Sequence, residues 1–250
     1  MICLVLAGTA SGAVAQAGRM VPGAGEQLLA LANQSRAQSG AGRLQWDPAL
    51  AEAARRHCLR MAEEGPIAHR YGGEPSLEQR AAQAGARFAL IEENVAVGPT
   101  ANEIHDEWMQ SQGHRENLLN PQVNRVGIAV VASRGVLYAV ADYTEQVPAI
   151  APSAIEARVA SLIQPSGVSI LRDSALARAA CMTDHGVPSS RGGLQPRFVM
   201  RWQDSQLREL PQALVQKLAS GRYRAAEVGS CHARDVDAGF SAYRIAVILF

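Results

Sequence analysis

Apolar positions along the chain recur at two spacings, helical at first and alternating later. From Glu26 to Gln38, Leu28, Leu29, Leu31, Ala32 and Ala37 suit one helix, closed by Gly40 and Gly42. In LQWDPALAEAARRHCLRMAEEG, Asp47 is placed as an N-cap, Pro48 at the first helical position and Gly65 as the terminator, which predicts a second helix. A third helical pattern covers 75–85 and stops at a glycine. TANEIHDEWMQS, 100–111, opens with Thr100 and Glu103 in capping-box positions. Ile104, Trp108 and Ser111 are expected on one face of that helix, with His105 and Asp106 turned to solvent. IEENVAVG, 91–98, reads as a short segment before Pro99. RVGIAVVASRGVLYAVADYT then predicts two strands joined at SRG, a hairpin signal.

QVPAIAPSA, 146–154, carries two prolines and no period, so a domain boundary is expected there. Beyond it the pattern predicts helices near 153–163, 173–182 and 211–219 and a terminal strand, YRIAVILF. The expected organisation is a first domain over 25–147 and a smaller α+β domain over 153–250. DPALAEAA at 47–54 is echoed by DSALARAA at 173–180, and each half ends its β content with IAV. The echo admits a degenerate second copy of the first domain, without its GHR or ENVA stretches; alanine-rich helices that merely look alike are the other reading.

A net charge of +1 gives no global attraction for nucleic acid or an anionic membrane. No run after the N-terminus approaches the length of a membrane span. ICLVLAG, followed by small residues ending in Ala13-Val14-Ala15, has the form of a signal peptide over 1–15, and predicts a secreted or periplasmic protein. Of the four cysteines, Cys3 would leave with that segment. An oxidising compartment would then favour a Cys181–Cys231 disulfide, leaving Cys58 as a small buried residue. No C-x-x-C spacing suggests a thiolate zinc site.

The first domain offers His57, His69, His105 and His114, with Glu92, Glu93, Glu103 and Glu107. There is no H-E-x-x-H, no G-x-S-x-G elbow and no glycine-rich phosphate loop. His57, in mid-helix, is expected to pack or bond locally, and Glu103 to serve the cap. Glu107 borders the apolar stripe within reach of a cleft. His69, in GPIAHRYGG, and His114, in SQGHREN, stand in loop-like contexts, with Gly113 expected to end the preceding helix and His114 to follow as the first side chain beyond it. Two imidazoles and a carboxylate could hold a divalent ion with open positions. They could equally bond across a cleft without metal, or merely fix loops to the core.

LLALANQSRAQSGAGRLQWDPALAEAARRHC, MAEEGPIAHR, EENVAVG, EIHDEWMQSQGHRENLLNP and RVGIAVV…LYAVADYT occur in an order and spacing that resemble the CAP superfamily. That group comprises cysteine-rich secretory proteins, antigen 5 and plant pathogenesis-related proteins, and the resemblance is nearest to its bacterial secreted, SCP-like branch. It implies a three-layer α-β-α sandwich with an antiparallel central sheet, and a shallow cleft lined by two histidines and two acids. His69 and His114 fall on the histidine positions and Glu93 on the first acid. The second acid position falls near Gln110–Ser111, where this chain has none, so Ser111 is expected at the cleft edge. The resemblance further implies zinc or magnesium held through His69 and His114 as an option, not a requirement. It also implies a binding module for a small apolar ligand or a cell-envelope component. The alternative is a His/Glu-assisted hydrolase acting on a peptide, ester or cell-wall substrate.

Overall fold

The structure, a computed structural model, describes residues 18–189, 193–234 and 239–250. The expected signal segment 1–15, with Cys3, lies outside the described residues.

β1 (Arg19–Met20) and α1 (Ala24–Ser39) lead into β2 (Gln45–Trp46) and α2 (Pro48–Glu64). Asp47 caps α2 as its sequence requires, its Oδ1 accepting from the N–H groups of Ala49 and Leu50 at 2.8 and 3.1 Å. α3 (Leu77–Gln83), β3 (Phe88–Gly98), α4 (Ala101–Gln110) and α5 (Gln112–Leu119) follow, then the hairpin β4 (Arg125–Ser133) and β5 (Val136–Gln146). Arg134 and Gly135 form the two-residue turn, both with positive φ, the mirror-image geometry that suits twisted hairpins.

Neighbours in the first sheet run β1-β4-β5-β3, and β2 pairs with β4 in parallel. The remaining pairings are antiparallel. Period-two alternation divides the core. Ile128, Val130, Ala139, Ala141 and Tyr143 meet α1 and α4 on one face through Leu28, Ile104 and Trp108. Ala129, Val131, Tyr138 and Val140 meet α2 on the other through Ala54, Cys58 and Met61. This is the expected α-β-α sandwich. β3 is longer than the short segment expected, because Phe88–Gly98 pairs with β5 along its whole length, with one bulge between Phe88 and Leu90.

The C-terminal part builds a second, smaller sheet. α6 (Pro152–Ile163), β6 (Ser169–Ile170), α7 (Ala175–Cys181), β7 (Phe198–Asp204), α8 (Gln212–Ala219), β8 (Ala225–Cys231) and β9 (Tyr243–Leu249) give the order β6-β8-β9-β7. β6 is parallel to β8, and the other pairs are antiparallel. α6 and α8 cover one face through Ile155, Val159, Ile163, Leu214 and Leu218. α7 covers the other, next to Ala246 and Ile248. A disulfide joins Cys181, the last residue of α7, to Cys231. Cys58 is free and buried. Burial pushes its thiol up to about 12.

One glycine in each sheet lets a helix lie directly on the strands. A Cβ on Gly127 would stand 2.0 Å from the Ala51 nitrogen, and one on Gly229 would stand 2.2 Å from the Arg178 nitrogen. Both helix segments belong to the DxALAxAA echo.

Candidate functional site

Glu93 lies near the middle of β3, on the face covered by α2, and is buried. Three elements converge on it. From the loop after α2, His69 brings Nδ1 to 2.8 Å from Glu93 Oε1. From α3, Arg80 donates through Nη2 to Glu93 Oε2 in a buried salt bridge, and through Nη1 to the His69 carbonyl at 3.1 Å. From α2, buried His57 stands with Nε2 3.9 Å from Glu93 Oε2. His57 is itself held between Glu74, 2.7 Å from Nδ1, and the Ala68 carbonyl, 2.8 Å from Nε2. These bonds tie the 66–76 loop to α2, so His57 is more than a local packing residue.

The His69 side chain is 61% exposed while that of Glu93 is 2% exposed. A solvent-facing imidazole is thus anchored on a buried carboxylate, with a guanidinium behind it. The Glu93 hydrogen bond raises the His69 pKa, against the opposing effects of burial and Arg80.

Asp142, on β5, is paired in register with Glu93 and faces the same side of the sheet. It is fully buried, no N–H or hydroxyl donates to either carboxyl oxygen, and the Glu93 carboxylate is the group it meets. Burial, followed by the Glu93 charge, pushes its pKa well above the usual carboxylate range, so Asp142 favours its protonated form.

His114 is placed differently from the expectation. Gly113 does not end a helix. α4 stops at Gln110, Ser111 takes an extended conformation (φ −77°, ψ 124°), and α5 starts at Gln112 with Gly113 and His114 in its first turn. Gly113 tolerates this because the bend has already been made at Ser111. Ser111 is therefore a hinge between two helices, not a member of the Ile104–Trp108 stripe. Asn94 and Asn117 fasten α5 to β3: Asn94 Nδ2 donates to the His114 carbonyl at 2.9 Å, and Asn117 Nδ2 donates to the Glu93 carbonyl at 3.2 Å and to Asn94 Oδ1 at 3.0 Å.

His114 Nδ1 is buried without a partner. Burial lowers its pKa, the nearby His69 charge lowers it further, and Glu107 opposes both. His114 thus lies within electrostatic reach of His69 and of Glu107, which stands on the exposed side of α4. His105 is not solvated as expected: it is buried and lies 3.1 Å from Ser35 Oγ, because α1 packs across that flank of α4. Asp106 is exposed, and Glu103 supports the Thr100 cap.

The donor set does not fit a resident zinc or magnesium. Both Glu93 oxygens are committed, one to His69 and one to Arg80, which leaves two imidazoles. Among the described residues, no group of three or more His, Cys, Asp or Glu is disposed to hold a metal ion.

Sequence reading missed Arg80, Asp142 and Glu74. Asp142 becomes visible only once β3 and β5 are paired in register. Arg80 could have been flagged as a charged residue at a core-facing position of α3, beside buried Ala81.

A family model described as CAP, cysteine-rich secretory protein family, matches residues 29–143. Over 112 residues the chain is 35% identical to YlbC of Bacillus subtilis, described as an uncharacterized membrane protein, covering 42% of this chain and 31% of that one. Over 109 residues it is 30% identical to YkwD of the same organism, covering 43% of this chain and 42% of that one. The chain thus spans less than half the length of either curated relative. A solved extracellular protein of Bacillus anthracis that contains an SCP domain superimposes with a TM-score of 0.47 at 26% identity, over 50% of this chain and 41% of that one. Among the described residues no helix is long and apolar enough to cross a membrane. Residues 29–143 are a CAP domain of the cysteine-rich secretory protein family, joined in this chain to a second helix-backed sheet.

Proposed function

We propose that the chain is an extracytoplasmic binding module, and that its recognition centre is the His69–Glu93–His114 cleft, with Glu107 and Ser111 at its edge. The observation that carries this reading is an exposed imidazole held rigidly by a buried carboxylate and guanidinium. The side-chain entropy of that contact is largely spent before a ligand arrives. The two imidazoles are driven apart in pKa, His69 upward and His114 downward. Around pH 6.5, the ordinary imidazole midpoint, the cleft therefore holds a cationic donor beside a neutral ring. That pairing suits an anionic or hydrogen-bonding group of a cell-envelope component. A location outside the cytoplasm is supported by the family and by the Cys181–Cys231 disulfide.

Co-sedimentation with purified cell-wall sacculi tests the reading. His69→Ala combined with His114→Ala should bind at least about tenfold more weakly, a loss of about 1.4 kcal/mol, with an unchanged Tm. Wild-type binding should weaken as pH rises through the His69 midpoint, because the group that loses charge is the exposed donor. Equal binding by both proteins would sink the proposal. Turnover of a peptide, ester or cell-wall substrate that disappears with the two histidines would replace binding by hydrolysis.

We also propose that the C-terminal part is a reduced copy of the CAP fold. The support is the order helix-strand-helix-strand-helix-strand-strand, which the first region shares once α3 and α5 are set aside, the shared pairing senses, and Gly127 and Gly229 under echoed helices.

A further inference from the structure

We infer that residues 239–241, just ahead of β9, form a strap that seats α3 of the CAP domain, and that Phe240 is the residue through which it positions Arg80. The inference rests on the cleft reading above, since Arg80 holds both Glu93 and the His69 backbone.

Residues 231–234, at the end of β8 and just after it, are fastened to the second sheet. Cys231 is disulfide-bonded to Cys181. The Arg234 N–H donates to Gln203 Oε1 and Gln203 Nε2 donates to the Arg234 carbonyl, both at 2.8 Å. Arg234 Nη2 donates to the Met182 carbonyl at 2.8 Å. Residues 239–241 lie against the first sheet. Gly239 sits so close to α3 that a Cβ would come 2.7 Å from the Glu78 carbonyl oxygen and 2.8 Å from Ala82 Cβ, and its φ of +103° disfavours any side chain. The Phe240 ring meets Phe88 edge-on, 5.3 Å between centroids and 67° between planes. It closes a small cluster of Leu50, Ala81, Ala86 and Phe88. The Ser241 N–H donates to the Phe88 carbonyl at 2.8 Å, which adds a rung at the start of β3. The chain then returns to its own sheet, where the Tyr243 hydroxyl donates to the Pro148 carbonyl.

α3 depends on this seat. It has seven residues, too few to persist on helix propensity, although Ser76 and Gln79 form a capping box at its start. Ala81, in the Phe240 cluster, directly follows Arg80. A helix that shifts at Ala81 therefore carries the Arg80 guanidinium off Glu93. The Arg80 Nε has no partner of its own, so only the Nη1 and Nη2 contacts resist the shift.

The test uses the full chain, without any ligand. A buried guanidinium bonded through both Nη groups gives restricted N–H signals in a ¹⁵N spectrum, assigned to Arg80 by their disappearance in Arg80→Met. Phe240→Ala should lose those signals and shift the His69 ring resonances in the direction seen for Arg80→Met. Phe240→Leu, which keeps apolar bulk on Ala81, should retain them. Should Phe240→Ala not fold, Ser241→Pro, which removes the N–H donated to Phe88, is read in the same way. Wild-type Arg80 signals in a folded Phe240→Ala or, failing that, in Ser241→Pro would overturn the strap. Because no ligand enters, failure of cell-wall binding leaves this result standing, and failure here leaves the cell-wall result standing.

Discussion

β2-β4-β5-β3 and β6-β8-β9-β7 follow one path, with one parallel pairing followed by two antiparallel ones. At the level where each helix touches the strands, the first sheet reads Gly127, Asp142, Glu93 across β4, β5 and β3, and the second reads Gly229, Ala246, Arg201 across β8, β9 and β7. The glycine is shared because the helix needs the space. The acids are not: Ala246 stands where Asp142 would, and Arg201 where Glu93 would. Arg201 donates instead to the carbonyls of Ala180 and Gly186 and to Thr183 Oγ1, which pins the loop after α7. The elements that carry Arg80 and His114, α3 and α5, have no counterpart among the described residues of the second sheet. Packing demands are thus met alike in both regions, while the cleft chemistry rests on side chains and short helices that the architecture does not require.

The largest way to separate the two regions is the crosslink that only the second has. Replacing Cys181 and Cys231 together by serine should destabilise that region by about 4 kcal/mol, the loop-entropy figure for a separation of 50 residues. Denaturation followed by probes in each sheet should show the second melting first; coincident loss at the wild-type midpoint contradicts it. The glycines should behave alike. Gly127→Ala and Gly229→Ala should each cost about 3 kcal/mol or more, since backbone of the facing helix must move. A tolerated Gly229→Ala beside a damaging Gly127→Ala would break the equivalence. The smallest effect concerns the acid that the second sheet lacks. In the folded chain Asp142 titrates above its unfolded value, so the folded state binds the extra proton and stability falls as pH rises between the two. Asp142→Asn cannot ionise. Its Tm should match the wild type near pH 3.5 and exceed it at pH 8, and a lower Tm at pH 8 would show that Asp142 is held charged.

Local signals were legible wherever one turn of chain decides the outcome. Asp47-Pro48 starts α2, Thr100 starts α4, and the SRG stretch makes the hairpin. His69, Glu93 and His114 as a set come from the family resemblance, and the structure brings His69 onto Glu93 with His114 nearby. What escaped was decided across the fold. Gly113 looked like a stop, but Ser111 had already taken the bend. His105 looked solvated, but α1 lies over it. Arg80 and Asp142 reach Glu93 only through α3 docking and β3–β5 register, neither of which is written in a local pattern.

The free thiol between the helix layer and the first sheet bears on how the chain matures. Cys58, Cys181 and Cys231 offer three pairings to an unfolded chain, of which one is native. Attack on a disulfide requires a thiolate. Burial pushes the Cys58 thiol up to about 12, so Cys58 presents very little thiolate at neutral pH. Once α2 has closed over β5, Cys58 is withdrawn from exchange, and among these three cysteines oxidation can join only Cys181 to Cys231. A chain that closes its N-terminal unit before the second sheet is oxidised is thereby guarded against scrambling.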